Sequence, residues 1–169
     1  MICPSCGFDN LPGESNCRRC LSDLTALDRP IPSDRVESSL MSDTVGDLQP
    51  RSPVILTRDA TVAQAVQAFV QHDVGAVVIV DEVGVLIGIF SERDLLVKVA
   101  GHERPLTDLR VEEFMTPKPE TVHPDDCLAF ALQKMDIGGY RHLPVVRDGK
   151  PIAMLSVRDL IRHMTRLVS

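Results

Sequence analysis

The sequence predicts a mixed α/β (α+β) fold: two β-α-β-β-α repeats packed with pseudo-twofold symmetry, behind a small cysteine-stapled N-terminal segment. Three observations carry this. Residues 45–99 match residues 111–164 along the full length of both copies. Each copy passes through the same alternation of helical and strand-like apolar patterning. Four of the five cysteines fall within the first 20 residues.

An internal repeat sets the organisation of the whole fold. Val45-Gly-Asp-Leu48 aligns with Val111-Glu-Glu-Phe114, Pro53 with Pro119 and Asp59 with Asp125, all at an offset of 66. After a one-residue difference in a turn, Gly84 aligns with Gly149, Ser91 with Ser156 and Asp94 with Asp159. Each copy opens on a short extended piece, Val54 to Leu56 or Thr121 to Val122. A helix follows, with Val62, Ala65, Val66, Phe69 and Val70 on one face, or Leu128, Ala131, Leu132 and Met135. Thr61 with Gln64 reads as a capping box, and Asp125 or Asp126 as the cap of the second copy's helix. The aliphatic runs Ala76 to Val80 and Leu143 to Val146 read as strands covered on both faces. A turn at Glu82 to Gly84, or at Asp148-Gly149, leads to a second strand and then to a helix opened by Ser91 or Ser156. A lone unit of about 60 residues would bury only roughly 60% of its unfolded surface, so the copies are expected to pack together.

These patterns divide the chain into a cysteine segment (1–27), a linker (28–43), a first repeat (44–104) and a second (105–169). Arg-Pro-Ile-Pro-Ser and Glu-Ser-Ser give the linker its polar, proline-broken character. Ser39 to Leu48 and Leu106 to Met115 are expected as short helices leading into the repeats.

Composition narrows the function. Hydrophobic residues make up 44% and charged residues 25%, with no tryptophan and one tyrosine, the profile of an aliphatic-cored globular protein. A net charge of −6 and a pI near 5.3 argue against a broad footprint on nucleic acid or anionic membrane. No window approaches the roughly 18 apolar residues of a membrane helix. The start, Met-Ile-Cys-Pro-Ser-Cys, lacks the basic and apolar regions of a signal peptide, so the expected compartment is the cytoplasm.

Cys3-x-x-Cys6 and Cys17-x-x-Cys20 are two knuckles ten residues apart, the spacing that lets four thiolates close a tetrahedron around Zn²⁺. With all four positions taken by sulfur the metal would be structural, and Gly7 suits the turn after the first knuckle. Disulfides in a secreted mini-domain and iron in a rubredoxin-like site are the alternatives. Residues 1–30 hold three basic and four acidic side chains, which lends a nucleic-acid role for the ribbon little electrostatic support. Cys127 stands apart, near a helix N-terminus but beside Asp125 and Asp126, whose charge opposes thiolate formation.

Gly88-Ile-Phe-Ser91-Glu-Arg-Asp94 and Ala153-Met-Leu-Ser156-Val-Arg-Asp159 each carry a strand into a helix. Serine at N-cap and aspartate three residues on make a capping box. The same geometry offers free N–H groups to an anion and a carboxylate to a vicinal diol such as ribose. Neither reading excludes the other. Over residues 45–168 the chain resembles the tandem cystathionine β-synthase (CBS) domain, or Bateman module. The resemblance is carried by Ser-x-Arg-Asp-Leu at 91–95 and 156–160, His-Leu-Pro-Val-Val at 142–146 and Met-Thr-Pro at 115–117. It implies that an adenosine ligand (AMP, ADP, ATP or S-adenosylmethionine) binds in clefts between paired repeats. Asp94 and Asp159 would hold ribose with help from Ser91 and Ser156. Val54, Ile55, Thr121 and Val122 would flank adenine, and Arg141 and His142 would face phosphate. It also implies a homodimer. Gly75-Ala76 stands where the second copy has Arg141-His142, so the two clefts are expected to differ in charge, and Ala153 replaces Gly88.

Three classes of function remain: a nucleotide-responsive regulatory module acting on an unidentified protein partner, a ligand-free scaffold, and an enzyme built on Cys127 and His123 or on the metal. The third is weakest, since Pro124 follows His123 and four thiolates leave no open metal position. The reading is therefore a non-enzymatic regulator.

Overall fold

The structure is a computed structural model that describes residues 2–11, 13–25, 32 and 34–168. The chain forms two compact units, Met1–Asp34 and Arg35–Ser169. Of the expected linker, residues 28–31 and 33 lie outside the described residues.

In the first unit both knuckles fold alike. The amide of Gly7 donates to the Cys3 carbonyl and that of Leu21 to the Cys17 carbonyl, each at 2.9 Å. Gly7 and Leu21 occupy the same step and share positive φ, 70° and 59°. That conformation costs glycine little and leucine more.

The second unit starts with α1 (Arg35–Ser42). The helix expected from Ser39 thus begins earlier, and after Ser42 only a 3₁₀ turn, Gly46–Leu48, remains helical. In the first repeat, β1 (Ile55–Thr57) pairs parallel with β2 (Ala76–Val80), across α2 (Val62–His72). The Thr61–Gln64 capping box is present, with the Gln64 amide donating to Thr61 Oγ1 at 3.2 Å. β3 (Leu86–Ser91) pairs antiparallel with β2. α3 (Glu92–Asp94) follows and loosens into a π-helical turn, Leu95–Val99. In the second repeat, α4 (Leu128–Gly138) leads to β5 (His142–Arg147), which pairs antiparallel with β6 (Lys150–Ser156), and α5 (Val157–Val168) closes the chain. Its first strand is reduced to one parallel bridge, Val122 with Val145. α4 has Cys127 at N-cap without a side-chain bond, because Asp126 instead accepts from the His123 amide at 2.7 Å. Both hairpins break register at matching steps, between Ile79 and Val80 and between Val145 and Val146.

The repeats exchange their lead-in segments. Thr44 bridges to Cys127, and the symmetry-related Arg110 bridges to Thr61. The Val45 amide donates to the Asp126 carbonyl at 2.9 Å, and the Val111 amide to the Ala60 carbonyl at 2.8 Å. β4 (Thr116–Pro117), in the lead-in of the second repeat, adds to the first repeat's sheet beside β3. Arg51, in the lead-in of the first repeat, accepts at its carbonyl from Met154 of β6 at 2.9 Å. Residues 106–115, expected to be a helix, are instead turns and the 3₁₀ segment Val111–Glu113, since their backbone groups serve this pairing.

Apolar packing follows the same exchange. Leu109, Val111 and Phe114 join Val62, Phe69, Val77, Ile79 and Phe90 in one core, while Val45 joins Leu128, Met135, Leu143, Val145 and Leu155 in the other. Leu109→Ala is expected to cost about 2–5 kcal/mol, the range for deleting a fully buried leucine side chain. Urea unfolding measures it, and a loss under about 1 kcal/mol would mean the exchanged segment adds little to the first core.

Candidate functional site

Strand exchange builds a cleft of about 420 Å³ in the second unit. One wall comes from the lead-in and first repeat: Arg51, Ser52, Pro53, Val54, Gly75 and Glu92. The other comes from the second repeat: Arg141, His142, Ser156, Arg158, Asp159 and Arg162. Of the residues expected from sequence, Val54, Arg141, His142, Ser156 and Asp159 meet here. Ile55, Ser91, Asp94, Thr121 and Val122 do not line this cleft. Val122 is fully buried in the second core, and the Thr121 carbonyl is taken at 2.9 Å by Lys134.

Asp159 sits one turn into α5, where both readings of the Ser-x-x-Asp turn meet. Its Oδ2 accepts from the Ser156 amide at 2.9 Å and the Ser156 hydroxyl at 2.6 Å, while its own amide donates back to Ser156 Oγ at 3.4 Å. That is a capping box, and it consumes one carboxylate oxygen. The other, Oδ1, lies 3.5 Å from Arg162 Nη1. Arg51, Arg141 and Arg158 have no ion-pair partner among the described residues. Four arginines against Asp73, Glu92 and Asp159 make the lining cationic, which suits phosphate.

His142 opens β5 beside Gly75. A Cβ on Gly75 would stand 3.0 Å from His142 Cε1 and 3.3 Å from Glu92 Oε2, so the glycine makes room for both side chains. Burial lowers the His142 pKa below its ordinary value; Glu92 and Asp159 pull it up, and Arg141 and Arg158 push it further down. Sequence alone missed Arg51, Glu92, Arg158 and Arg162. Arg162 carried a signal, its i+3 spacing from Asp159, whereas Arg51 reaches the cleft only through exchange.

The pseudo-equivalent turn is built differently. Ser91 and Asp94 repeat the capping box, with Asp94 Oδ2 accepting from the Ser91 amide at 2.9 Å and the hydroxyl at 2.6 Å. Here Oδ1 is engaged by Lys98 Nζ at 2.7 Å. Gly88, the position Ala153 takes in the second repeat, is covered by Met115, whose Sδ would stand 2.2 Å from an added Cβ. Ala153 buries its methyl in the second core.

In the first unit, the sulfurs of Cys3, Cys6, Cys17 and Cys20 lie within 4.8 Å of one another. Cys3 and Cys20 are 3.5 Å apart, Cys6 and Cys17 3.6 Å. Four thiolates bonded at roughly 2.3 Å to one tetrahedral ion stand roughly 3.8 Å apart, so the cage fits such an ion. The Phe8 amide lowers Cys6, but burial and the thiols of Cys20, Cys17 and Cys3 together push it up to about 12. Burial would raise Cys17, yet the amides of Cys20 and Arg19, with Cys6 and Asn10, bring it down to about 6. Asn10, itself buried, locks the cage by donating to Cys17 Sγ and accepting from the Arg18 amide at 3.0 Å.

Comparison with known proteins bears on the second unit. The CBS domain family model matches residues 45–101 and 111–166, two copies that account for most of the chain. The chain belongs to the CBS-domain family. It is 34% identical over 142 residues to the mitochondrial CBS domain-containing protein CBSX3 of Arabidopsis thaliana, a match covering 78% of this chain and 69% of that one. Among solved structures, a CBS-domain containing protein from Agrobacterium tumefaciens superposes with a TM-score of 0.65 at 30% identity, over 71% of this chain and 98% of its own. CBSX2 in complex with AMP superposes with a TM-score of 0.63 at 26% identity, over 75% and 98%. The CBS pair lies in the second unit, and the cysteine cage precedes the matched residues. Among the described residues no helix is long and apolar enough to cross a membrane.

The His142 shift has a signed consequence. A histidine whose folded pKa is depressed binds fewer protons folded than unfolded, so stability rises with pH. That stability is complete above the unfolded value of roughly 6.5 and is lost as pH falls below it. Urea midpoints taken from pH 7.5 to 5 should therefore fall more steeply for the wild type than for His142→Asn. Parallel curves would exclude the buried imidazole as the cause.

Proposed function

We propose that this protein is a regulatory module that binds an adenosine-containing ligand in the Arg51–Arg162 cleft and transmits its occupancy to a protein partner. The observation that carries this is Asp159: its capping box spends one carboxylate oxygen and leaves the other facing a cavity rimmed by three arginines without ion-pair partners. A carboxylate suits the ribose diol, the guanidinium groups suit phosphate, and Val54 and Met154 offer apolar surface for a base. The cavity falls within the roughly 300–1,000 Å³ of small-molecule sites. CBSX2, a relative of the same architecture, is known in complex with AMP. Nucleoside phosphates are thus the first candidates, with S-adenosylmethionine next. The competing reading, a scaffold with an empty cleft, draws on Arg162, which already approaches Asp159 Oδ1 at 3.5 Å.

The cysteine cage is read as a structural zinc site. Sulfur-only ligation leaves no place for substrate, so the ribbon serves as a folded surface for a partner and not as a hydrolytic centre. We read the module as acting in the cytoplasm and as a homodimer, the state its family resemblance implies.

Isothermal calorimetry with AMP, ATP and S-adenosylmethionine tests the reading. Asp159→Ala should weaken the bound ligand by about 1.5–3 kcal/mol, the scale of hydrogen bonds to a charged group. Heat from none of the three ligands would favour the scaffold. Replacing Cys3 and Cys6 by serine should release about one zinc per chain, read by atomic absorption, while the thermal transition of residues 35–169 persists. Collapse of both units together would mean that they do not fold independently.

A further inference from the structure

We infer that Lys98 is a built-in occupant of the second of the two pseudo-equivalent clefts, so that the protein takes up one nucleotide per chain. The inference rests on the nucleotide reading above and deepens it by assigning which site is closed and what closes it.

Asp94 and Asp159 are symmetry mates with the same capping geometry, so intrinsic helix-start chemistry does not distinguish them. Their second oxygens do. Lys98 lies one turn after Asp94 and places Nζ 2.7 Å from Asp94 Oδ1, 2.9 Å from the Phe114 carbonyl and 3.3 Å from Thr116 Oγ1. Thr116 Oγ1 also donates toward Asp94 Oδ1 at 3.5 Å. The ammonium thus engages the carboxylate oxygen on which a ribose diol would rely, holding at the same time Phe114 and Thr116 of the following segment. The π-helical turn over Leu95–Val99 sets this placement, and Met115 covers Gly88 alongside it. A hydroxyl that reaches Asp94 Oδ1 must break the ammonium's three contacts together, although Lys98, 40% exposed, can then turn to solvent.

The residue matching Lys98 in the second repeat is His163, at the offset of 65 that relates Asp94 to Asp159. It does not reach Asp159. Its Nε2 lies 2.6 Å from Ser39 Oγ and 3.3 Å from Asp43 Oδ2, and Ser39 in turn donates to Asp43. The exchanged helix α1 therefore draws this side chain away from the cleft, and Asp159 Oδ1 is left with Arg162 at 3.5 Å alone. The same position is a plug in one repeat and a tether in the other.

Calorimetric titration of the full-length chain with AMP reads this out. The wild type should take up about one AMP per chain and Lys98→Met about two, with Lys98→Arg remaining at one. In Lys98→Met/Asp94→Ala the second event should vanish again. Two AMP per wild-type chain, or one per Lys98→Met chain whose thermal transition is intact, would overturn the role of Lys98 while leaving the nucleotide reading in place. No uptake by any variant would overturn the nucleotide reading and this inference with it. Should Lys98→Met not fold, the wild-type stoichiometry still decides, since a value of two is incompatible with a closed cleft.

Discussion

Reciprocal exchange of the lead-in segments is the constraint on which the second unit depends. Val45 and Val111 are fully buried, each in the core of the repeat that follows or precedes its own. A repeat of this size cannot bury enough apolar surface by itself. Borrowing a segment completes each core, and the accompanying backbone bonds, Val45 to Asp126 and Val111 to Ala60, satisfy groups that a simple face-to-face packing would leave stranded. The cleft is a by-product of the same arrangement. Arg51 stands beside β6 because its carbonyl pairs with Met154, and so a residue from the lead-in of the first repeat lines a site whose carboxylate belongs to the second.

Symmetry of backbone does not produce symmetry of chemistry. Both Ser-x-x-Asp turns close the same ring of hydrogen bonds, and both hairpins break register at the same step. Side chains then decide. Gly75-Ala76 and Arg141-His142, expected from sequence to belong to different clefts, line the same one, as do Glu92 and Val157; Lys98 against His163 is what sets the Asp94 turn apart, with an internal ion pair. A duplicated scaffold freed from needing two identical sites can let one diverge, provided the box that caps the helix is kept.

Much of the fold was legible because its signals are local and doubled. Apolar periods, the Thr61–Gln64 capping box and the Asp148-Gly149 turn each depend on neighbours in sequence, and every element could be checked against its copy. The helix anticipated over residues 106–115 was not, because its backbone is claimed by Ala60 and Val62 across the molecule, a demand invisible to local propensity. The site divided on the same line. Ser156, Asp159, Arg141 and His142 are motif residues and reach the cleft, whereas Arg51 and Glu92 reach it through tertiary pairing. Thr121 and Val122 occupy the slot matching Val54 to Leu56, but only a single bridge remains of that strand, with Val122 wholly in the core.

Exchange also sets an order on synthesis. As the chain leaves the ribosome, the first repeat is complete in sequence by about residue 101 but lacks Leu109, Val111 and Phe114, and its core stays open until they emerge. At roughly 5–20 residues per second that wait is about a second or two. The second repeat faces no such delay, since Val45 has been made long before Leu155 arrives to meet it. The first half therefore never closes without the second's opening residues, and the second closes last, when Leu155 and Leu160 arrive.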